Sequence, residues 1–116
     1  MPFEIKRGLV VRINWEPHRG SERGGIRPAL VIQNDIGNRS SPTIIVAAIT
    51  SAKLKPYPFV VALKAREAGL PKDSTVNCSA ILTVEKSCIV GIYGIVLEDQ
   101  MKAVDKALLV SLGIRK

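Results

Sequence analysis

The stretch Ser21-Glu22-Arg23-Gly24-Gly25-Ile26-Arg27-Pro28 is polar, glycine-bearing and charged, and it runs directly into the apolar segment Ala29-Leu30-Val31-Ile32. Gly24 and Gly25 let the backbone take positive φ or approach a ligand closely. Pro28 biases Arg27 towards an extended conformation. A guanidinium held at a loop–strand junction offers a planar fork of donors that matches two phosphate oxygens at once. Taken alone, the segment also reads as a hairpin loop with solvated charges, because a glycine-rich loop is a weak signal.

Side chains at this junction need strands to hold them. Glycine and proline punctuate short apolar segments at close spacing, as expected of a small β-barrel or sandwich. Gly8 to Asn14 reads as a first strand, Trp15 to Gly25 as a loop, and Arg27 to Gln33 as a second strand. A loop carrying Asp35, Gly37, Asn38 and Pro42 then leads to a third strand, Thr43 to Ile49. Strands two and three are almost continuously apolar, so they are expected to be central and buried on both faces.

Further on, Pro56 and Pro58 bracket a loop or edge start, and Phe59 to Leu63 reads as a strand. Lys64 to Ala68 suits one or two helical turns closed by Gly69. Thr75 to Ile81 and Ile89 to Val96 read as strands, with a turn over Val84 to Ser87. The C-terminal segment changes period. Leu97, Met101, Val104, Leu108 and Leu112 fall on one helical stripe that should cover a face of the sheet. Glu98 and Asp99 suit the start of that helix and Gly113 its end.

Composition narrows the class. At 116 residues and 47% hydrophobic, the chain is one globular domain with a single modest core. No apolar run approaches the roughly 20 residues of a membrane span, and Met1-Pro2-Phe3-Glu4 does not resemble a signal peptide. The expectation is a soluble cytoplasmic protein without membrane association. Net charge is +7, which favours polyanions, either nucleic acid or an acidic protein partner. Cys78, Cys88 and a lone histidine lack zinc-ligand spacing. We therefore expect buried structural thiols, no metal site and no cofactor. Aromatic residues are only 4% of the chain, which argues mildly against a pure single-strand binding module built on base stacking.

The run from Gly25-Ile26-Arg27-Pro28 through Asn34-Asp35-Ile36-Gly37-Asn38 and Ser41-Pro42-Thr43 to Ala48-Ile49-Thr50 resembles the MazF/PemK family of toxins from bacterial toxin–antitoxin pairs. The likeness continues more loosely over Asp73-Ser74, Leu82-Thr83-Val84-Glu85-Lys86 and Val104 to Gly113. It implies a mostly β fold with a C-terminal helix, an SH3-like antiparallel β-barrel of the MazF/PemK/CcdB type. It also implies a sequence-selective, metal-independent endoribonuclease that cuts single-stranded RNA (mRNA), leaving a 2′,3′-cyclic phosphate and a 5′-hydroxyl. A homodimer and a cognate antitoxin with an acidic tail complete the implied picture.

Carried over residue by residue, the resemblance gives Arg27 the central phosphate-holding role and Thr50 a bracing hydroxyl. Glu22 becomes either a counter-ion for Arg27 or a group that helps move a proton, with a solvated loop carboxylate as the plainer alternative. Arg19, Ser21, Gly24, Gly25 and Asn38 are implied RNA contacts. His18, three residues from the position where some relatives carry a histidine, is either a further RNA contact or a plain loop residue. The chain departs from the family where relatives carry Gln and Arg: here Ala80 and Leu82 stand instead, and Asn77 and Ser79 lack the charged side chains of some relatives. Base preference is thereby left open. The alternative is a non-enzymatic toxin of the same fold that blocks a protein target such as DNA gyrase.

Overall fold

The computed structural model describes residues 4–15 and 25–115. The chain order is β1 (Leu9–Asn14), β2 (Ile26–Val31), α1 (Asp35–Ser40), β3 (Thr43–Thr50), β4 (Val60–Leu63), β5 (Ser74–Glu85), β6 (Ile89–Ile95) and α2 (Glu98–Leu112). The six strands form one antiparallel sheet in the order β4-β5-β3-β2-β1-β6. The expected fold class holds, with one qualification. The ladder is open, so β4 and β6 are edges, and the structure matches the barrel in architecture without closing it.

The two central strands behave as their apolar runs require. Leu30 and Ala47 enter one hydrophobic cluster with Val10, Val76 and Val104. Their chain neighbours Ala29, Val31 and Val46 enter another with Val11, Ile44 and Val84. Successive strand residues point to opposite faces, so β2 and β3 feed cores on both sides of the sheet. Cys78 and Cys88 are buried free thiols, and burial pushes the Cys78 thiol up to about 11.

Three expectations require correction. The segment after β2 is not a loop but a short helix, α1. Asn34 caps it by accepting a 2.8 Å hydrogen bond from Gly37 N. Six residues are too few to display a period. The turn expected over Val84 to Ser87 falls later, at a 3-10 turn over Lys86–Cys88. Strand β5 runs on to Glu85, because Leu82 to Glu85 pair with Thr43 to Val46. Finally, α2 does bury Val104, Ala107 and Leu108, but Leu97 and Leu112 at the stripe's ends are exposed. Gly113 ends the helix in the left-handed region, as expected.

Strand β5 also carries a large bulge. Ala47 faces Ile81 while Ala48 faces Asn77, which leaves Cys78, Ser79 and Ala80 as extra residues. Asn77 Oδ1 closes the bulge by accepting from Ser79 N at 3.0 Å and Ser79 Oγ at 2.6 Å.

The segment between β4 and β5 is packed tightly against β6. It contains a 3-10 turn at Glu67–Gly69, with Arg66 and Ala68 at positive φ. A Cβ on Gly94 would lie 2.6 Å from the carbonyl carbon and oxygen of Ala68, and one on Gly69 would lie 2.0 Å from Tyr93 O. Two glycines thus allow two backbones to touch. At the far end, Glu67 accepts from Lys64 N at 2.6 Å and from Gln100 Nε2. Gln100 in turn accepts from Leu97 N at 2.8 Å, tying the turn to the start of α2. Gly94→Ala should therefore destabilise the fold by about 1–3 kcal/mol, the range for forcing extra volume into a packed contact. Urea denaturation checks this, and an unchanged midpoint would show that the two backbones do not depend on touching.

Candidate active site

The antiparallel pairing of β2 with β3 positions the site. Ala29 lies across from Ala48 and Leu30 across from Ala47. Continuing that register by two residues sets Arg27 across from Thr50. The two residues line one pocket of about 220 Å³ with Pro28, Ile49, Ser51 and Tyr93. The segment that leads into β5 lines it too, through Leu70, Pro71, Lys72 and Ser74. Arg27 is solvent-exposed and Thr50 half-buried.

Each lining residue is held by local structure. Arg27 pairs with Ile13 of β1, and just before it Trp15 N donates to Gly25 O at 3.0 Å. Gly25 has φ 101°, so it adopts the positive-φ geometry expected for the glycine pair. Thr50 Oγ1 accepts from Ala52 N at 3.0 Å. That bond takes one lone pair, orients the oxygen and leaves the hydroxyl proton for donation. Tyr93 sits beneath the Arg12 guanidinium, 5.9 Å from its ring centroid.

The pocket opens into a longer groove. It shares Ser51 and Ser74 with an adjoining hollow of about 570 Å³ that includes Lys53, Leu54 and Lys64. That hollow shares Lys53 and Leu54 with a third, of about 400 Å³, that includes Lys55, Tyr57 and Phe59. Tyr57 and Phe59 stack with centroids 5.0 Å apart and planes 10° from parallel. Tyr57 is 49% exposed. The groove is thus lined with lysines from its Arg27 end to an exposed aromatic face. The sequence signals for this second half were Lys53, Lys55 and the Pro-bracketed Tyr57, which composition alone did not connect to Arg27.

The remaining expected site residues divide into two groups. His18, Arg19, Ser21, Glu22 and Gly24 lie outside the described residues. Asn38 is described, and the structure overturns its expected RNA contact. It is 2% exposed, and its side chain is engaged inside the domain. Asn38 Nδ2 donates to Gln33 O at 2.9 Å and to Asp35 Oδ1 at 3.0 Å, while Gln33 Nε2 donates to Asn38 Oδ1 at 3.2 Å. Asp35 also accepts from Arg7 N at 2.8 Å. That backbone bond and the Asn38 amide hold its carboxyl below the usual carboxylate range. Ala80 is half-buried in the β5 bulge and Leu82 is 42% exposed on the sheet.

Comparison with known proteins places this geometry. Residues 6–112 match the family described as the PemK-like, MazF-like toxin of type II toxin–antitoxin systems. Over 111 residues the chain is 43% identical to Endoribonuclease EndoA of Bacillus subtilis (strain 168), covering 95% of this chain and 96% of that protein. Among solved structures it resembles an endoribonuclease in complex with its cognate antitoxin from a mycobacterial species. That match has a TM-score of 0.80 and 25% identity, over 97% of this chain and 98% of the other. It also resembles MazF in a MazE–MazF crystal structure from Deinococcus radiodurans, with a TM-score of 0.78 and 27% identity over 97% of this chain and 99% of that one.

The reassignment of Asn38 has a consequence that separates folding from chemistry. Asn38→Ala leaves the buried Gln33 amide short of a partner, a loss of about 1–3 kcal/mol. We expect a lower thermal midpoint, with RNA cleavage unchanged at temperatures where the variant is folded. Loss of cleavage by a fully folded Asn38→Ala protein would return this residue to the site.

Proposed function

The chain belongs to the PemK-like, MazF-like toxin family of type II toxin–antitoxin systems and is an endoribonuclease; from that premise we propose that it cuts single-stranded RNA at the pocket between Arg27 and Thr50. The 2′-hydroxyl attacks the adjacent phosphorus, the bond to the 5′-oxygen breaks, and the products carry a 2′,3′-cyclic phosphate and a 5′-hydroxyl. The observation that carries this reading is the shared pocket of an arginine and an oriented threonine hydroxyl on adjacent strand ends. A guanidinium aimed at two non-bridging oxygens meets the negative charge that builds on the phosphorane. The Thr50 hydroxyl donates to the same group.

Glu22 is assigned to orienting Arg27 or moving a proton. Arg19, Ser21, Gly24, Gly25 and His18 are assigned to RNA contact. Leaving the pocket, RNA follows the groove over Lys53 and Lys55 to the exposed face of Tyr57, where lysines meet its backbone and a ring meets a base. The 43% identity to a protein named an endoribonuclease favours this enzyme over a protein-blocking toxin of the same fold. The setting is the cytoplasm, where RNA is available. No helix among the described residues is long and apolar enough to cross a membrane.

The active form is a homodimer with a groove crossing between subunits. Strand β6 is an unpaired edge with Val90 and Ile95 exposed at 47% and 53%, and such an edge is normally covered. Inhibition comes from a cognate antitoxin whose acidic tail, disordered when free, folds into the lysine-lined groove and displaces RNA. Two relatives in the comparison are solved with an antitoxin bound.

The chemistry and the assembly are tested separately. Wild-type protein should cleave single-stranded RNA in EDTA, and mass spectrometry should find cyclic phosphate ends. Arg27→Ala should lose roughly 10²–10³ in rate, about 2.7–4 kcal/mol of barrier, with an unchanged circular dichroism spectrum. Thr50→Ala should lose less. Linear 3′-hydroxyl ends, or near-normal cleavage by Arg27→Ala, would refute the mechanism. Separately, sedimentation should give a dimer at micromolar concentration. The acidic product of an adjacent reading frame should bind this dimer more weakly at high salt than at low salt. An active monomer, or salt-independent binding, would contradict the assembly described.

A further inference from the structure

We propose that Lys72 supplies a second positive charge to the scissile phosphate, from the lining of the pocket it shares with Arg27, and acts chiefly as charge builds on the phosphorane. The inference rests on the reading of the Arg27–Thr50 pocket given above and deepens it. Lys72 lines the same pocket as Arg27 and Thr50, next to the start of β5, where Thr75 pairs with Thr50, so a phosphate held by Arg27 and Thr50 lies in a cavity that Lys72 also borders.

Three observations favour a built position over a solvated lysine. First, the segment that carries it is fixed at both ends. Leu70 is 2% exposed, and its carbonyl accepts from Arg66 N at 2.7 Å. Gly69 presses on Tyr93 O, where any Cβ would collide. Beyond Lys72, Asp73 Oδ1 accepts from Ala65 N at 2.7 Å, and Ser74 Oγ donates to Lys72 O at 3.0 Å. Secondly, the neighbouring carboxylate is thereby occupied by backbone, and the Lys72 ammonium forms no ion pair with a carboxylate among the described residues. Thirdly, the two cations differ in kind. A guanidinium binds phosphate oxygens as a planar fork, whereas an ammonium acts as a compact charge on a flexible stem. The stem lets Lys72 follow the oxygens as the phosphorus changes geometry while Arg27 holds them. This assignment also explains the tight Gly69–Gly94 contact, which places this part of the lining without contributing a side chain to it.

The test is a double-mutant cycle of Arg27→Ala and Lys72→Met, with Lys72→Arg and Lys102→Met as companions, on a fluorescent single-stranded RNA. A matched oligonucleotide with a 2′-deoxy residue at the scissile position, which cannot be cut, reports binding. We expect Lys72→Met to lower the single-turnover rate by about 10- to 100-fold, the usual effect of removing one charge-assisted contact. Affinity for the 2′-deoxy oligonucleotide should fall by less than the rate does. Lys72→Arg should keep most of the rate, and Lys102→Met on α2 should keep all of it. The combined loss in the double variant should fall short of the product of the single losses, because both charges act on one phosphate. A Lys72→Met rate within twofold of wild type overturns the proposal, even if Arg27→Ala is inactive. So does a loss that appears equally in binding to the uncleavable oligonucleotide, or one that multiplies independently with Arg27→Ala. If Arg27→Ala itself retains full activity, the pocket reading fails, and the role of Lys72 fails with it.

Discussion

The pairing register of β2 with β3 is the constraint on which the site depends. Ala29 against Ala48 and Leu30 against Ala47 are apolar, and they are buried or half-buried at the centre of the sheet. A slip of one residue would turn every side chain of β2 to the opposite face and exchange the contents of the two cores. Such a slip would be strongly resisted, because Val31 and Val46 serve one core while Leu30 and Ala47 serve the other. The polar ends of the two strands inherit this certainty. Arg27 and Thr50 face each other because the residues behind them cannot sit otherwise, and neither has to contribute to the core.

The lining that the segment before β5 contributes is positioned by different physics. Between β4 and β5 the chain has no ladder for most of its length. It relies on backbone contact at Gly69 and Gly94, on the buried Leu70, and on carboxylate caps from Glu67 and Asp73. Positive φ at Arg66 and Ala68 marks the cost of bending the chain through so few residues. The Glu67–Gln100 bond joins this bend to the start of α2, whose Val104 and Leu108 pack on the sheet. The pocket lining therefore comes in part from strand ends set by register and in part from a braced turn.

This division explains what the sequence could and could not reveal. The strands β1, β2, β3 and β6 and the helix α2 announce themselves through apolar runs or a helical stripe, because burial writes a period into the residues. The Arg27–Thr50 pair was legible through the resemblance, and the antiparallel register of β2 and β3 accounts for their shared pocket. Helix α1 was not, because its six residues are specified by a single cap at Asn34 and by polar contacts around Asn38. Asn38 looked like a loop side chain open to RNA, yet it is the buried hub of a hydrogen-bond cluster. Polarity in sequence does not distinguish an exposed amide from a satisfied buried one. The bulge in β5 was equally hidden, since three extra residues in a strand change register without interrupting its composition. Lys72 escaped notice for a related reason. Its place in the pocket follows from contacts at Gly69, Asp73 and Ser74, none of which has a periodic signature.

The openness of the site bears on its control. Arg27 is exposed, and the groove continues past Lys53 and Lys55 to the exposed Tyr57. A flexible single strand can enter such a groove without domain motion, and base stacking with backbone charge neutralisation gives binding that tolerates many sequences. A chain with a net charge of +7 attracts acidic polypeptides as readily as nucleic acid. An inhibitor that fills a lysine-lined groove needs only charge complementarity and enough apolar contact to outlast RNA. Ile95 at the β6 edge, with Leu97 just beyond it at the start of α2, offers apolar surface that a second subunit can cover. In the proposed assembly, charge in the groove and apolar surface along that edge divide the work: the groove serves a polyanion, whether RNA or an acidic tail, and the edge serves a second copy.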